Sequence, residues 1–578
     1  MRIPGRAGVA ALALTLAAGL AACDGDPLGG GPTGDGAGPS ASPAPPDPPT
    51  PAERLGLVTG WGPTRPELER AARLVHALPL PALAGQVIVA GYSGTAAPVG
   101  LVRRLHLGGV IVFADNVVST AQVRGTTATL RREVRRPWPL LVGVDQEGGL
   151  VQRLRGDVTR LPAFMSTGAA RDPALTRRVY AAAAGELRGL GLTMDFAPDA
   201  DVTMGAADPA IGSRSAGSDP AAVARHVMAA ARGFQDAGLV PVVKHFPGHG
   251  SVDADSHVTL PVQRRSVREL ARRDWVPFRR AVDGGLPAVM VGHLDVRAVD
   301  RGVPSSLSRP VVTGLLRQRL GFHGLVVTDA LDMAAVRRHL GPDRAAVAAL
   351  RAGADVALMP VDPAGARTAI VRAVRGGYLT RLRLEQAAAR QVALLLHQRA
   401  TARRGQVRPP GAARSLASRL SAEALTSVAG PCSGRIAPSR PIPFGDPSAV
   451  ASFRTAAAEA GLALGHVDYV KPPRPELGRK WSKKRKQRVL RRWRAIEPHP
   501  VLRGTRVDLV GAGDPVPTSD YVVAVDTPYV LGRTGASVRV ATYGDGPGPM
   551  RALVAFWLGR APAPGRLPVD VPGVRRGC

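Results

Sequence analysis

Eight short apolar runs recur along residues 86–360: "QVIVAG" (86–91), "GVIVFADN" (109–116), "PLLVGVDQEGG" (139–149), "TMDFAPDADV" (193–202), "VPVVKHFPGHG" (240–250), "PAVMVGHLDV" (287–296), "GLVVTDALDM" (324–333) and "ADVALMP" (354–360). Each is rich in β-branched or small apolar residues without strict alternation, as in strands buried on both faces of a parallel sheet. Segments of helical period separate them. Two of these, "DPALTRRVYAAAAGELRGLG" and "DPAAVARHVMAAARGFQDAG", open on an Asp-Pro start signal. Eight strand–helix units in roughly 300 residues predict an α/β chain whose residues 65–400 close into a (β/α)8 TIM-like barrel. An open doubly wound sheet is the rival, and the absence of a glycine-rich dinucleotide fingerprint favours closure. Barrel enzymes gather their catalytic groups at the C-terminal ends of the strands. Here Asp145, Asp201, Lys244 with His245, His293 and Asp329 all follow an apolar run. Five strands thus release polar side chains at one end, which points to an enzyme.

After a linker at 401–414, residues 415–578 again alternate strand and helix patterns ("YVVAVDTPYVL", "VRVATYG", "GPMRALVAFWLG", "GRLPVDVPG"). They predict a smaller αβα sandwich-like domain. Inside it lies a basic insert, "KPPRPELGRKWSKKRKQRVLRRWR" (471–494), the densest part of a net charge of +31. Such a run binds an anionic partner or is simply a solvated charged helix or disordered insert.

The N-terminus reads as an address. Arg2 and Arg6 precede an apolar stretch too short to span a bilayer, and residues 1–22 are built like an export signal. The stretch ends in "LAAC", which resembles the bacterial lipobox, so Cys23 is the expected lipidation site. A Gly/Pro/Ser-rich tether is expected over 23–64. Two acyl chains at Cys23 would hold the protein at the outer face of the cell membrane. An exported protein does not meet cytoplasmic nucleic acid, so the insert is expected to contact an anionic cell-wall polymer or the membrane surface. Cys432 and Cys578 remain, bridged or free.

Four motifs in order, "VDQEGGLVQRL" (144–154), "AIGSRS" (210–215), "KHFPGHGSVDADSH" (244–257) and "TDALDM" (328–333), resemble the family 3 glycoside hydrolases and, within them, the NagZ-type β-N-acetylhexosaminidases. The resemblance covers the barrel and more loosely the second domain. It implies Asp329 as nucleophile, His257 as general acid/base and Asp255 as the group that orients His257. Asp145, Arg153, Arg214, Lys244 and His245 would bind the sugar. The implied activity is that of a retaining exo-β-N-acetylglucosaminidase acting on peptidoglycan fragments (muropeptides) or chitooligosaccharides, with no cofactor. The chain departs from the motif at Leu150, where the family usually carries Arg.

The residues support those roles chemically. Histidine titrates near neutral pH and can both deliver and remove a proton. An aspartate two residues away can fix its tautomer. Gly248 and Gly250 suggest a loop that closes over substrate. Three histidines, His245, His249 and His257, have spacings that superficially suit zinc, but no HExxH is present and no metal is expected. His249 is read as bracing the loop, Asp201 and His293 as supporting groups, and Asp332 as a possible helix cap. A histidine acid/base also leaves room for phosphate as acceptor, hence a β-N-acetylglucosaminide phosphorylase. A weakly catalytic cell-wall-binding lipoprotein is the rival from another class. A β-glucosidase of the same family is disfavoured by the "DADSH" loop.

Overall fold

Each apolar run supplies one strand of a single closed ring. The strands are β1 (Ile88–Ala90), β2 (Gly109–Val112), β3 (Leu141–Val144), β4 (Met194–Asp195), β5 (in two pieces, Val240–Pro241 and Val243–Phe246), β6 (Ala288–Val291), β7 (Leu325–Thr328) and β8 (Ala357–Leu358). All neighbours pair in parallel, from Val89↔Gly109 between β1 and β2 to Ala288↔Leu325 between β6 and β7. The two pieces of β5 join the halves: Val240 pairs with Met194, and Val243 with Val289. A bridge from Val327 to Val356 and the pair Ile88↔Ala357 close the ring through β8 and β1. In this computed structural model the described residues are 48–154, 156–471, 473–477, 481–497 and 499–578. Pro49–Cys578 form one compact unit. The export signal, Cys23 and the tether as far as residue 47 lie outside the described residues.

Local signals act as the sequence implies. Asp172 and Asp219 cap the helices Pro173–Gly189 and Pro220–Asp236, accepting from Leu175 N (2.9 Å) and Ala222 N (2.6 Å). The runs at 139–149 and 193–202 yield strands shorter than their apolar length, because their polar ends peel away to build loops over the barrel mouth. The prediction that the tether extends to residue 64 is corrected. Ala52, Leu55, Leu57 and Trp61 are buried in the barrel core, and Arg65 pairs with Glu53 at 2.6 Å. Those apolar residues are interspersed among Gly and Pro, which hid them from a composition-based reading.

Helix Arg381–Ala402 completes the barrel, and the following turns are pinned to it, with Arg408 N donating to Gly185 O and Ala413 N to Glu186 Oε1. The second domain is a five-stranded sheet. Its strands are β9 (Thr426–Ala429), β10 (Pro441–Gly445), β13 (Thr505–Val510), β14 (Tyr521–Ala524) and β15 (Val538–Ala541), ordered β9-β15-β14-β13-β10, with only β9 antiparallel. Val507, Leu509, Val523 and Val540 face helices Pro447–Ala460 and Pro547–Trp557. Val510, Val522, Ala524 and Ala541 face the other way, onto Met165 and Ala169 of the barrel domain. The second face is therefore covered by the barrel domain and the 528–571 segments rather than by a full helical layer. The insert forms an antiparallel ribbon, β11 (His466–Val470) with β12 (His499–Arg503), and a helix, Lys483–Ala495, with no buried residue. Among the described residues no helix is long and apolar enough to cross a membrane.

Cys432 and Cys578 are bridged, 146 residues apart. A loop of that length restricts the unfolded chain by about 5 kcal/mol in the chain-entropy account. Cys432→Ser with Cys578→Ser is therefore expected to lower the melting temperature of the second domain by several degrees, read by calorimetry against the untreated protein. An unchanged melting curve would refute it.

Candidate active site

Asp329 follows β7 and points into the barrel mouth. Its Oδ1 accepts from Ala330 N at 2.8 Å, which leaves Oδ2 for a reacting partner. Burial opposes its ionisation, but His245, His293, the Ala330 N–H and Lys244 outweigh burial and hold it at about 2. His293, from the end of β6, fixes the same corner. Its Nε2 meets Ala330 O at 2.9 Å, so Nε2 carries the proton and Nδ1 accepts from Ser306 Oγ at 2.7 Å. With both nitrogens engaged, His293 supports the backbone behind Asp329 instead of touching substrate.

Lys244 and His245 are neighbours within the second piece of β5. Lys244 Nζ contacts Asp145 Oδ1 at 2.7 Å and Glu147 Oε1 at 2.6 Å. Arg214 closes the group, its Nε and Nη2 each 2.9 Å from the Glu147 carboxylate, a two-pronged pair. Burial disfavours the charge on Glu147, yet Arg214 and Lys244 hold its carboxyl well below the usual range. Glu147 lies inside the quoted "DQEGG" motif but was not singled out. The signal was its place two residues after Asp145, which returns its side chain to the same side of an extended segment.

His245 is held by Asp201, whose Oδ2 lies 2.8 Å from Nδ1. Burial keeps the imidazole neutral, down at about 4, so Nδ1 donates to Asp201 and Nε2 is left to face ligand, 3.5 Å from Arg214 Nη2. Asp201 itself is pushed up by burial to about 7. Asp199, also missed, is likewise raised well above the usual carboxylate range, by burial and by the charge of Asp201. Ligand atoms of Asp199, Asp201 and His245 lie within 4.8 Å of one another. The His245–Asp201 hydrogen bond already uses the best donor pair there, and Arg214 approaches Asp199 at 3.6 Å, so the set fits a histidine held in one tautomer better than a cation.

Arg153 stands apart from this network. Its guanidinium lies 5.0 Å over the Phe113 ring, and its Nε is buried without a partner. Asp332 caps nothing: the helix Ala334–Arg337 starts from Met333 without a side-chain cap, because Asp332 lies one residue too early. Leu150 is 72% exposed at the tip of the 146–152 hairpin. The second domain reaches the same region, with Asp526 contacting Ser213 Oγ beside Arg214.

The Asp255–His257 pair is formed, Oδ1 to Nδ1 at 2.8 Å, with the imidazole 69% exposed on its loop. No contact joins His257 to Asp329 among the described residues. The glycine reading is corrected. Gly248 and Gly250 are buried, and a Cβ there would strike Asp274 at 2.6 Å and Val202 O at 2.7 Å, so they serve close packing rather than mobility. The exposed part of the loop starts beyond them. It is latched through Ser256, whose Oγ lies 2.9 Å from His249 Nε2 and whose carbonyl accepts from Ala335 N at 3.4 Å. His249 thus braces the loop, as the sequence suggested, and its own N–H donates to Asp201 Oδ1 at 2.5 Å. Burial holds its ring neutral, at about 3. Because Ser256 separates Asp255 from His257, His249→Ala and Ser256→Ala are each expected to lower kcat about tenfold by loosening the pair, with KM nearly unchanged. Ser256→Thr, which keeps the hydroxyl, should retain activity. Steady-state kinetics in which all three variants match the parent would refute the latch.

An ionised carboxylate at a barrel-strand end, Lys, Arg and His side chains around it, and an Asp–His pair on the loop above fit a carbohydrate-cleaving barrel. The chain belongs to glycosyl hydrolase family 3: residues 84–394 match the family's N terminal domain. It is 43% identical over 268 residues to a beta-hexosaminidase of Thiobacillus denitrificans, covering 44% of this chain and 73% of that one. It is 39% identical over 289 residues to the beta-hexosaminidase LpqI of Mycobacterium tuberculosis, covering 47% and 71%. A solved family 3 beta-N-acetylglucosaminidase from Paenibacillus superposes with a TM-score of 0.72 at 29% identity, over 86% of this chain and 99% of that one. That match takes in the second domain as well as the barrel.

Proposed function

We propose that the protein is a retaining exo-β-N-acetylglucosaminidase that removes terminal β-linked N-acetylhexosamine from peptidoglycan fragments or chitooligosaccharides. The observation that carries this reading is Asp329, held ionised at the barrel mouth with one carboxylate oxygen unengaged. In the first step Asp329 Oδ2 bonds to the anomeric carbon while the bond to the leaving oxygen breaks. His257 Nε2 gives that oxygen its proton, and Asp255 stabilises the resulting imidazole tautomer. In the second step His257 takes a proton from water, the hydroxide bonds to the anomeric carbon from the face the aglycone left, and Asp329 departs. Two inversions retain the configuration. Asp145, Lys244, Arg214 and His245 grip the hydroxyls and N-acetyl group, and Arg153, stacked on Phe113, joins them from the hairpin side when the sugar binds. The exposed position of His257 requires its loop to fold inward on the bound sugar.

The test is release of nitrophenol from 4-nitrophenyl β-N-acetylglucosaminide at neutral pH, with and without added phosphate. Hydrolysis supports the reading, formation of a sugar 1-phosphate would replace it with phosphorolysis, and no turnover under either condition would sink it.

The export signal and the "LAAC" stretch support a lipid anchor at Cys23 on the outer face of the cell membrane. Radiolabelled palmitate should enter the wild type and not Cys23→Ala; equal labelling overturns the anchor. The basic helix Lys483–Ala495, which has no buried residue, supports contact with an anionic cell-wall polymer. Co-sedimentation with purified walls that survives charge neutralisation of the helix would refute that contact.

A further inference from the structure

At the end of the barrel opposite Asp329, a cavity of about 690 Å³ opens beside the segments that lead into β3 and β4. Six arginines line it, Arg131, Arg135, Arg136, Arg188, Arg399 and Arg403, and no aspartate or glutamate does. None of the six forms an ion pair among the described residues. The neighbouring Glu133 is taken up by Arg103 and Arg132 instead. Elsewhere in the same barrel an arginine cluster has its counter-charge: Arg317, Arg383 and Arg390 converge on the buried Asp355 at 2.6, 3.1 and 3.3 Å. Among the described residues the cavity cluster has no carboxylate within ion-pair distance; Glu133 reaches Arg135 only as a longer-range charge.

Three of its guanidiniums are oriented by neutral groups. Arg136 donates to the carbonyls of Leu107 and Gly108, each at 2.9 Å, and lies 5.5 Å from the Trp138 ring. Its Nε is buried without a partner. Arg188 donates to Ala237 O at 2.5 Å, and Arg399 to Pro137 O at 3.4 Å. Carbonyls fix the direction of a guanidinium but leave its charge uncompensated. Several such charges around one cavity repel each other, and an anion entering it removes that repulsion.

We propose that this cavity binds a small, multiply charged oxyanion of the phosphate or pyrophosphate class, at a site separate from the sugar site. The experiment is isothermal titration of the soluble protein, residues 24–578, with sodium pyrophosphate, in parallel with Arg131→Ala/Arg403→Ala. Both substituted side chains are exposed, so the fold is retained. A second variant, Lys483→Gln/Lys484→Gln/Arg485→Gln/Arg488→Gln, controls for the basic insert. One saturable site is expected, weakened at least tenfold in the arginine variant, unchanged in the insert variant and unaffected by saturating N-acetylglucosamine. No binding by the parent, equal binding by the arginine variant, loss in the insert variant, or displacement by N-acetylglucosamine would each overturn it. Nitrophenol release by the arginine variant should equal that of the parent, so the oxyanion site and the glycosidase reading fail separately.

Discussion

Asp329→Ala is expected to lower kcat for 4-nitrophenyl β-N-acetylglucosaminide by about four orders of magnitude, equivalent to about 5.5 kcal/mol of barrier. The carboxylate combines a free oxygen, a full negative charge and a rigid strand end behind it. Its neighbours are poorly suited to replace it. Burial pushes Asp201 and Asp199 towards their protonated forms, and both are committed to His245 and the backbone around it. The loss should fall on chemistry rather than folding, because the side chain makes a single hydrogen bond, to its own neighbour Ala330. The variant should also show no burst of nitrophenol and no labelling by a 2-fluoro sugar that traps the glycosyl-enzyme. A variant retaining even a hundredth of the parent rate would remove Asp329 from the nucleophile's role.

The environment of Asp329 also sets a pH dependence. Its native value, about 2, lies below the ordinary 3.8, so ionisation favours the folded state. That stability is present above about pH 4 and is lost as the pH falls through the native value. Asp329→Asn should therefore flatten the acid limb of the stability curve between those values, while the parent loses stability there. An acid limb of kcat/KM above pH 5 belongs to some other group, since Asp329 is already ionised.

The parts of this molecule that obey local rules could be read from the chain. Eight apolar runs gave eight strands because burial on both faces leaves no alternation to confuse them, and Asp172 and Asp219 marked helix starts because a cap is a contact over three residues. Asp329, Lys244, His245 and the Asp255–His257 pair were visible because each lies where a strand ends or beside its partner in sequence. What escaped depends on convergence. Asp199 and Glu147 acquire their roles only when strands 40 to 100 residues apart meet in the ring, as Lys244 and Asp145 do across 99 residues. The packing of Trp61 into the barrel and the contact of Asp526 with Ser213 are likewise long-range. The six cavity arginines are spread from 131 to 403, and nothing local distinguishes them from the many other arginines of a chain with net charge +31.

Glu147→Gln should cost about 3 kcal/mol of stability and raise KM at least tenfold, the second large effect. Glu147 is 3% exposed and bonds both Arg214 and Lys244. Replacing its carboxylate by an amide leaves two buried cations sharing too little negative charge. The amide also turns an N–H2 towards one of them. The cost stays at the lower end of the range for a broken buried pair because Asp145 still meets Lys244 at 2.7 Å and Asp199 still lies 3.6 Å from Arg214. The same residual pairs predict which substrate contacts suffer. Lys244 stays tied to Asp145, and Arg214, freed from its two-pronged anchor, will swing out of register with the sugar. Binding should weaken more than kcat falls, since Asp329 and the Asp255–His257 pair do not touch Glu147. Denaturant unfolding and steady-state kinetics on one preparation decide the matter. Unchanged stability would mean that the two cations are solvated, and an unchanged KM would mean that Arg214 does not reach the substrate.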